Sequence, residues 1–103
     1  MPARSITRHQ AESVRDLARY FYALKDIVRL QMIVLLADRE ECTVNELAAA
    51  LQKSQPLVSW HLRRLKTAGV VKIRRAGREV YCSLDGDVLV QHQKEFLSLI
   101  GRE

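Results

Sequence analysis

The chain has 103 residues, of which 48% are apolar, and a formal net charge of +5 at neutral pH. Such a length predicts one domain with one small core, so that further apolar helix surface is most economically buried by dimerisation. No apolar stretch approaches the roughly 18 residues of a membrane-spanning helix, and the first residues lack the apolar run of a signal peptide. We therefore expect a single cytoplasmic domain over residues 1–103, without a membrane partner.

The basic residues are concentrated in one segment. Between Lys53 and Arg78 there are eight Lys or Arg residues and no Asp or Glu, against nine basic and twelve acidic residues elsewhere. A local field of one sign favours a polyanion such as double-stranded DNA, although any single Arg of this segment is also explained by an ordinary solvated face.

The first two predicted elements are helices. Apolar residues at three- and four-residue steps predict a helix over about 11–24, and Asp26 is the expected cap of a second helix that ends before the charged loop 38–41. The predicted buried face of the first helix is Val14, Leu17, Ala18, Phe21 and Leu24. The second helix is expected to be buried on much of its circumference, through Ile27, Leu30, Ile33, Val34, Leu35 and Leu36.

Two shorter helices follow. Thr43 with Glu46 fits a capping box, and Ser54 with Pro56 in the first turn begins the next helix. The short break between them predicts a helix-turn-helix over residues 43–68. The predicted inner face of the fourth helix is Leu57, Val58, Leu62 and Leu65.

The last elements are a hairpin and a helix. Strands Val70–Ile73 and Glu79–Leu84 flank an Arg-rich turn at 74–78, which predicts a wing over residues 70–84. A fifth helix from Asp85 carries Leu89, Phe96, Leu97 and Ile100 on one side. The predicted fold class is mainly α with a small β-hairpin, a winged helix-turn-helix in which four helices precede the hairpin and one follows it.

Side chains that point away from the inner face of the fourth helix are candidates for DNA binding. Gln55 and Ser59 are candidates for base readout, because a Gln amide can make a bidentate contact to adenine. Pro56 points the same way, and Trp60 either contacts thymine methyls and sugar or packs back against the wing. His61 is expected to pack or to bond the backbone. The candidates for phosphates, or for a minor groove at the wing tip, are Arg63, Arg64, Lys66, Arg74, Arg75 and Arg78.

Residues 23–84 resemble the ArsR/SmtB family of bacterial winged-helix repressors. The resemblance is carried by segments 23–36, Val44-Asn-Glu-Leu-Ala48, Ser54-Gln-Pro-Leu-Val-Ser-Trp-His-Leu62, 65–71 and 77–81. It implies a homodimer with residues 1–24 and 85–103 as dimerisation helices and with the fourth helices in successive major grooves. It also implies repression of the protein's own operon and release from DNA on effector binding, often of a metal ion. Trp60 departs from the family, which often has His there.

The metal motifs of the family are missing. A Cys-x-Cys pair of many metal-responsive members falls here on Thr43 and Asn45, which supply no thiolate. The first-turn positions of a last-helix site fall roughly on Gly86 and Val88, with Leu99 and Arg102 further along. We therefore predict no cofactor and no metal site of the usual kind.

Three alternatives for the effector remain open. His92 and Glu95, three residues apart, are candidates for sharing a metal ion with His9 or a second subunit, or they are a His at a helix interface with a surface Glu. Cys42 and Cys82 match no disulfide framework and are either a thiol-based redox sensor or small buried apolar residues. The third alternative is a constitutive DNA binder, or one released by an organic ligand or a protein partner.

Other classes of function have less support in the sequence. No glycine-rich phosphate loop, HExxH pattern or Ser or Cys nucleophile with a recognisable His and acid is present, so we predict a protein that is not an enzyme. The competing binding function is a winged-helix module for protein or RNA contact, which predicts few base-reading side chains and little basic charge. The segment 53–78 is instead rich in base-reading side chains and in basic charge, which favours a sequence-specific DNA-binding regulator.

Overall fold

The computed structural model describes residues 5–102, which form five helices and a three-stranded antiparallel sheet. The helices are α1 (Arg8–Leu24), α2 (Ile27–Ala37), α3 (Val44–Leu51), α4 (Gln55–Thr67) and α5 (Gly86–Leu99). The strands are β1 (Cys42–Thr43), β2 (Val71–Ala76) and β3 (Glu79–Leu84), in the spatial order β1-β3-β2. The predicted fold class and element order are confirmed. Residues 1–4 and 103, which end the two predicted dimerisation ranges, lie outside the described residues.

Side-chain caps begin the helices. The Asp26 carboxylate accepts a hydrogen bond from the Val28 amide at 2.8 Å, as predicted for α2. The predicted capping box of α3 is formed by Thr43 and Glu46, and Ser54 caps α4. A further capping box, between Thr7 and Gln10, begins α1 three residues before the predicted start. These contacts satisfy backbone N–H groups that have no partner within the helix, which sets where each helix begins.

Strand β1 is an element that the sequence patterns do not predict. It has only two residues, too few for an alternating pattern, and it pairs with the wing strand β3 in the register Cys42↔Cys82 and Thr43↔Tyr81. Because Thr43 is also the N-cap of α3, the wing is hydrogen-bonded directly to the start of the helix-turn-helix. The predicted hairpin is therefore part of a small three-stranded sheet.

The core lies between α2, α3, α4 and the sheet. Its fully buried side chains are Met32, Leu36, Cys42, Leu47, Val58, Leu62, Leu65, Val70 and Cys82. Helix α1 adds Tyr20 to this cluster.

Three of the predicted buried faces are partly wrong. On α1 the core side is Leu17, Tyr20 and Ala23, whereas Val14 is 47% exposed and Phe21 is also exposed. On α2 the predicted core residues Ile27, Leu30 and Val34 are exposed, because only one side of this helix meets other elements. On α4 Leu57 is exposed and His61 takes a place in the buried row. Apolar periodicity finds these helices but does not distinguish a core from another apolar surface.

Helix α5 is apolar on one side and contains no fully buried residue within a single chain. It packs on α1, where the Phe96 and Phe21 rings lie 5.4 Å apart and the His92 and Tyr20 rings lie 4.2 Å apart. The radius of gyration is 16.4 Å, above the approximately 13 Å that is typical of 100 compact residues. This extended shape leaves an open apolar groove of about 390 Å³, the α1–α5 groove. Its lining includes Ile6, Val14, Leu17, Phe21, Phe96, Leu99 and Ile100.

No helix among residues 5–102 has both the length and the apolar character that crossing a bilayer requires.

Truncation of Met32 tests where the core lies. Met32 is fully buried, so Met32→Ala is expected to lower the free energy of unfolding by about 2–5 kcal/mol. The matched control is Val34→Ala on the same helix, because Val34 is 68% exposed; a change within about 0.5 kcal/mol is expected. Urea unfolding followed by circular dichroism measures both, and equal losses would contradict the assignment of the core side of α2.

Candidate nucleic-acid interface

The turn of the helix-turn-helix comprises residues 52–54. Gln52 adopts a left-handed conformation with φ of +55°, and its amide donates to the carbonyl oxygens of the last turn of α3. Ser54 then caps α4, and its hydroxyl accepts a hydrogen bond from the Leu57 amide at 3.3 Å. The chain thus leaves one helix and enters the next within three residues, which holds α4 across α3.

Helix α4 has one buried row and a long exposed face without any acidic residue. The buried row is Val58, His61, Leu62 and Leu65. Ser59 is half-buried, so its hydroxyl is less accessible than predicted. The other candidate residues of this helix are exposed: Gln55, Pro56, Trp60, Arg63, Arg64 and Lys66. An amide, a hydroxyl, an indole and several cations therefore share a surface that can bind base edges and phosphates.

Trp60 is 42% exposed. It does not pack against the wing, which was one of its two predicted arrangements. The Arg64 guanidinium lies 4.8 Å from the centre of its ring, and the Arg29 guanidinium lies 5.9 Å from it. The His61 ring meets it edge-on at 5.0 Å. These contacts hold the indole against α2 and α4 rather than against the wing. Cation–π attraction of this kind keeps a large ring ordered at the surface while one face stays accessible.

A buried pair of side chains, Arg29 and His61, connects the end of α1 to α4. Arg29 is 5% exposed; its Nε donates to the Ala23 carbonyl oxygen at 2.6 Å, and its terminal nitrogen donates to His61 Nδ1 at 3.1 Å. His61 thus packs in the buried row, one of its two predicted arrangements, and its hydrogen bond is to a side chain and not to the backbone. Burial lowers the pKa of His61, the Asp26 charge opposes this, and the Arg29 charge adds to it. The imidazole is thus neutral at pH 7, which leaves Nδ1 free to accept.

The wing differs from the predicted arrangement of three Arg residues in one turn. Strand β2 continues to Ala76, so Arg74 and Arg75 are strand residues with side chains on opposite faces of the hairpin. Arg74 binds the Glu41 carboxylate through two hydrogen bonds of 3.0 and 2.8 Å, and its guanidinium lies 4.4 Å from the centre of the Tyr81 ring. The Arg74 hydrogen bond lowers the pKa of Glu41. Arg74 therefore anchors the wing to the loop before β1.

Within residues 5–102, Arg75 and Arg78 are the exposed cations of the wing that pair with no carboxylate, whereas Lys72 and Arg74 each do. Gly77 has a φ of +61° and forms with Arg78 the two-residue turn that joins β2 to β3, where a side chain at position 77 would be strained. Arg78 is thus held at the tip, and Arg75 lies one residue before the end of β2. Together with the exposed face of α4 they form a basic surface, which the exposed Glu79 borders at the start of β3.

Cys42 and Cys82 are brought opposite each other by β1, which the sequence alone does not reveal. Both are buried, and the Cys82 thiol donates to the Cys42 carbonyl oxygen at 3.0 Å. Burial raises the pKa of Cys82 to about 12, so its thiol is protonated at neutral pH. A protonated, inaccessible thiol is a poor nucleophile, which favours a packing role for the pair.

Neither the family's Cys-x-Cys positions nor the pair His92 and Glu95 brings a full set of metal ligands together among the described residues. Thr43 uses its hydroxyl in the capping box of α3, and Asn45 is exposed. His92 Nδ1 lies 4.0 Å from a Glu95 carboxylate oxygen and is buried without a hydrogen-bond partner. Within residues 5–102 no group of three His, Cys, Asp or Glu side chains is close enough to hold a metal. His92 and Glu95 would therefore need ligands from elsewhere.

Sequence reasoning missed Arg29 and Glu41, whose roles depend on residues 32 and 33 positions away in the chain. Arg29 had one usable signal, a charged residue within an otherwise apolar helix. Glu41 had none, because it lies in an ordinary charged loop.

A helix-turn-helix whose second helix presents an acid-free face beside a basic β-hairpin defines the DNA-binding winged helix-turn-helix of transcription regulators. Residues 26–72 match the profile of the family described as "Bacterial regulatory protein, arsR family". The chain belongs to this family, and the resemblance found in its sequence is confirmed.

Individual relatives agree with this assignment. A cadmium resistance transcriptional regulatory protein, the CadC homologue of Staphylococcus aureus, is 35% identical over 91 residues, which cover 82% of this chain and 75% of that protein. The transcriptional repressor SmtB homologue of Synechocystis is 44% identical over 73 residues, 71% of this chain and 54% of that protein. The match thus spans only about half of the SmtB homologue.

A solved structure shows the same fold. The homodimeric winged helix-turn-helix DNA-binding domain from Mycobacterium bovis superposes with a TM-score of 0.74 at 29% identity, covering 95% of this chain and 89% of that one.

The His61 contact predicts a pH dependence of stability. An unfolded His has a pKa of about 6.5, and the folded pKa of His61 is lower, so the unfolded chain takes up the proton first as the pH falls. The stability that this contact contributes is present in full above that ordinary pKa and is lost as the pH falls through the folded value. We expect the free energy of unfolding to fall between pH 7 and 5.

Two variants isolate the His61 contribution. His61→Gln is expected to flatten the pH dependence in this range, because Gln does not titrate. His9→Gln, at an exposed position of α1, is expected to show the same slope of unfolding free energy against pH as the original protein. Urea unfolding at several pH values measures the slopes, and an unchanged slope in His61→Gln would refute the neutral buried imidazole.

Proposed function

We propose that this protein is a sequence-specific, homodimeric transcriptional repressor that binds double-stranded DNA in the cytoplasm. The observation that carries the proposal is the exposed face of α4, which has no acidic residue, beside the basic residues of β2 and the wing turn; candidate side chains for base reading and phosphate binding lie there together. No catalytic step is part of this function.

Helix α4 is proposed to enter the major groove. Gln55, at the exposed first position of the helix, reads adenine, with Ser59 as a lesser contact. Pro56 and Trp60 supply apolar contact to thymine methyls and sugars. Phosphates are bound by Arg63, Arg64 and Lys66, whose contacts set the position of the helix on the duplex and carry no sequence information.

The wing is proposed to bind the flanking backbone or minor groove through Arg75 and Arg78. Arg74 is proposed to act mainly as the anchor of the wing, because Glu41 neutralises its guanidinium. Its loss would then loosen the hairpin that carries the two other cations, in addition to removing one positive charge.

Homodimerisation is supported by the apolar surface that a single chain leaves uncovered. The α1–α5 groove and the apolar side of α5 are exposed, and the similar structure from Mycobacterium bovis is a homodimer. A two-fold dimer would present two α4 helices to successive major grooves on one side of the DNA.

Repression is supported by the name of the SmtB homologue, a transcriptional repressor. The mode of release is proposed to differ from that of a metal sensor, because the side chains at the expected metal positions do not fit one. The buried Cys42 and Cys82 likewise give little support to release by oxidation. A role as a protein or RNA interaction module stays the alternative, and the exposed Gln55 and the basic wing favour DNA over it.

Two substitutions separate readout from positioning. Gln55→Ala is expected to weaken binding to the operator by about 1–3 kcal/mol and to leave binding to scrambled DNA nearly unchanged. Arg75→Ala is expected to weaken both, and to lower the slope of log affinity against log salt by about one. Fluorescence anisotropy with the protein's own upstream DNA and a scrambled duplex of equal length measures these affinities.

The matched control is Gln91→Ala, which removes an exposed amide from the side of α5 opposite Ile100 and should change neither affinity. Equal, weak binding of the original protein to both duplexes would refute the proposed function. Equal effects of Gln55→Ala on both duplexes would refute its role in readout.

A charge placed in the α1–α5 groove tests the dimer. Ile100→Glu buries a carboxylate at the proposed interface and is expected to shift the sedimentation mass from twice 11.8 kDa to the single-chain value. Gln91→Glu adds the same charge at an exposed position on the opposite side of α5 and should leave the dimer intact. A single-chain mass for the original protein at micromolar concentration would contradict the proposal.

A further inference from the structure

A second cavity, of about 550 Å³, lies between α1, α4 and α5. We call it the Arg29 cleft, because the buried Arg29 is part of its lining. Its other lining residues used below are Arg19, Tyr20, Arg64, Ala68 and His92. A volume between about 300 and 1,000 Å³ is the usual size of a small-molecule site.

The charges of the Arg29 cleft are mainly positive. It is lined by three Arg side chains and by one carboxylate, Asp16, which is paired with Arg19 at the rim. Arg29 and Arg64 are therefore left without that counter-charge. The α1–α5 groove, in contrast, has no charged residue in its lining.

Arg29 is a buried cation whose hydrogen-bond acceptors are both neutral, the Ala23 carbonyl oxygen and His61 Nδ1. Among residues 5–102 no carboxylate lies within 4.0 Å of its guanidinium. The Asp26 charge acts on it, but one Asp26 oxygen accepts from two backbone amides that begin α2. A buried charge is costly without a partner, so an anion in the cleft would stabilise Arg29.

The remaining walls of the cleft suit a flat apolar body. The Tyr20 and His92 rings lie 4.2 Å apart at an angle of 31°, and Ala68 adds a methyl group from the end of α4. Planar side chains with nearby guanidinium groups are a suitable lining for an aromatic ring that bears an acidic group.

We propose that the Arg29 cleft binds a small organic anion with a flat apolar body, whose acidic group pairs with Arg29 and Arg64. The occupied cleft weakens DNA binding, because the anion neutralises Arg64 on the face of α4 that binds phosphate. This second part rests on the proposed function; binding of the anion does not. The cleft and the α1–α5 groove share Ala18 but no other lining residue, so a partner that covers the groove need not contact Arg29 or Arg64.

The probe is 1-naphthoate, and 1-naphthamide is the neutral control of the same shape. Titration of the ¹⁵N-labelled full chain, followed by NMR, is expected to show at least about tenfold tighter binding of the carboxylate, the effect of a charge-assisted contact. The amide shifts should centre on Thr67, Ala68 and His92. Equal affinity of the two probes, no binding, or shifts confined to the α1–α5 groove would overturn the proposal.

Substitutions test the roles of the two cations. Arg29→Met should abolish the preference for the carboxylate, with circular dichroism as the check on folding. If Arg29→Met is unfolded, two exposed Arg residues of α4 provide the test. Arg64→Gln should weaken 1-naphthoate binding at least about threefold. Arg63→Gln should leave it unchanged, because Arg63 does not line the cleft. Equal effects of the exposed pair would overturn the assignment of Arg64.

DNA anisotropy with saturating 1-naphthoate tests the regulatory part, and a loss of operator affinity of at least about threefold is expected, with 1-naphthamide as the control. Unchanged affinity with the anion bound would overturn that part. A protein that binds the anion but no specific DNA would refute the proposed function and not the cleft. A protein that binds specific DNA but no anion would refute only the cleft.

Discussion

The position of α4 depends on Arg29. One guanidinium bonds the backbone at the end of α1 and a side chain on the buried row of α4, so the helix that carries the DNA-binding candidates is tied to the helix proposed to form the dimer. Both acceptors are neutral, and the buried charge makes them costly to lose. In the proposed dimer the two α4 helices must keep a set separation, and this contact links the proposed dimer helix directly to the helix that carries the DNA-binding candidates.

The wing is held by a comparable constraint on the other side of the core. Strand β1 pairs with β3, and the bidentate contact between Glu41 and Arg74 joins the same loop to β2. Because Thr43 of β1 is also the cap of α3, the wing is hydrogen-bonded directly to the start of the helix-turn-helix. The proposed phosphate contacts Arg75 and Arg78 therefore lie on a hairpin that is tied to the core on two sides, an arrangement that lowers the conformational entropy lost on binding.

The predictions that succeeded depend on local interactions. The caps at Asp26, Thr43 and Ser54 join residues two or three positions apart, so they are readable from spacing alone, as are the helix-turn-helix and the strand β3. Predictions failed where an apolar residue had two candidate environments. Val14 and Phe21 have the periodicity of a core face, yet they line an open groove, because periodicity reports an apolar face and not what covers it.

The sequence by itself determined the five helices, the β2–β3 hairpin and their order, the family and the segment that carries the positive charge, since all of these follow from local pattern and composition. Only the tertiary structure decided which apolar faces are core, that Cys42 lies opposite Cys82, that Glu41 engages Arg74, and that Arg29 reaches His61. The three residue pairs are each more than thirty positions apart in the chain. Such contacts are set by how the helices and the sheet pack against one another, which no local spacing encodes.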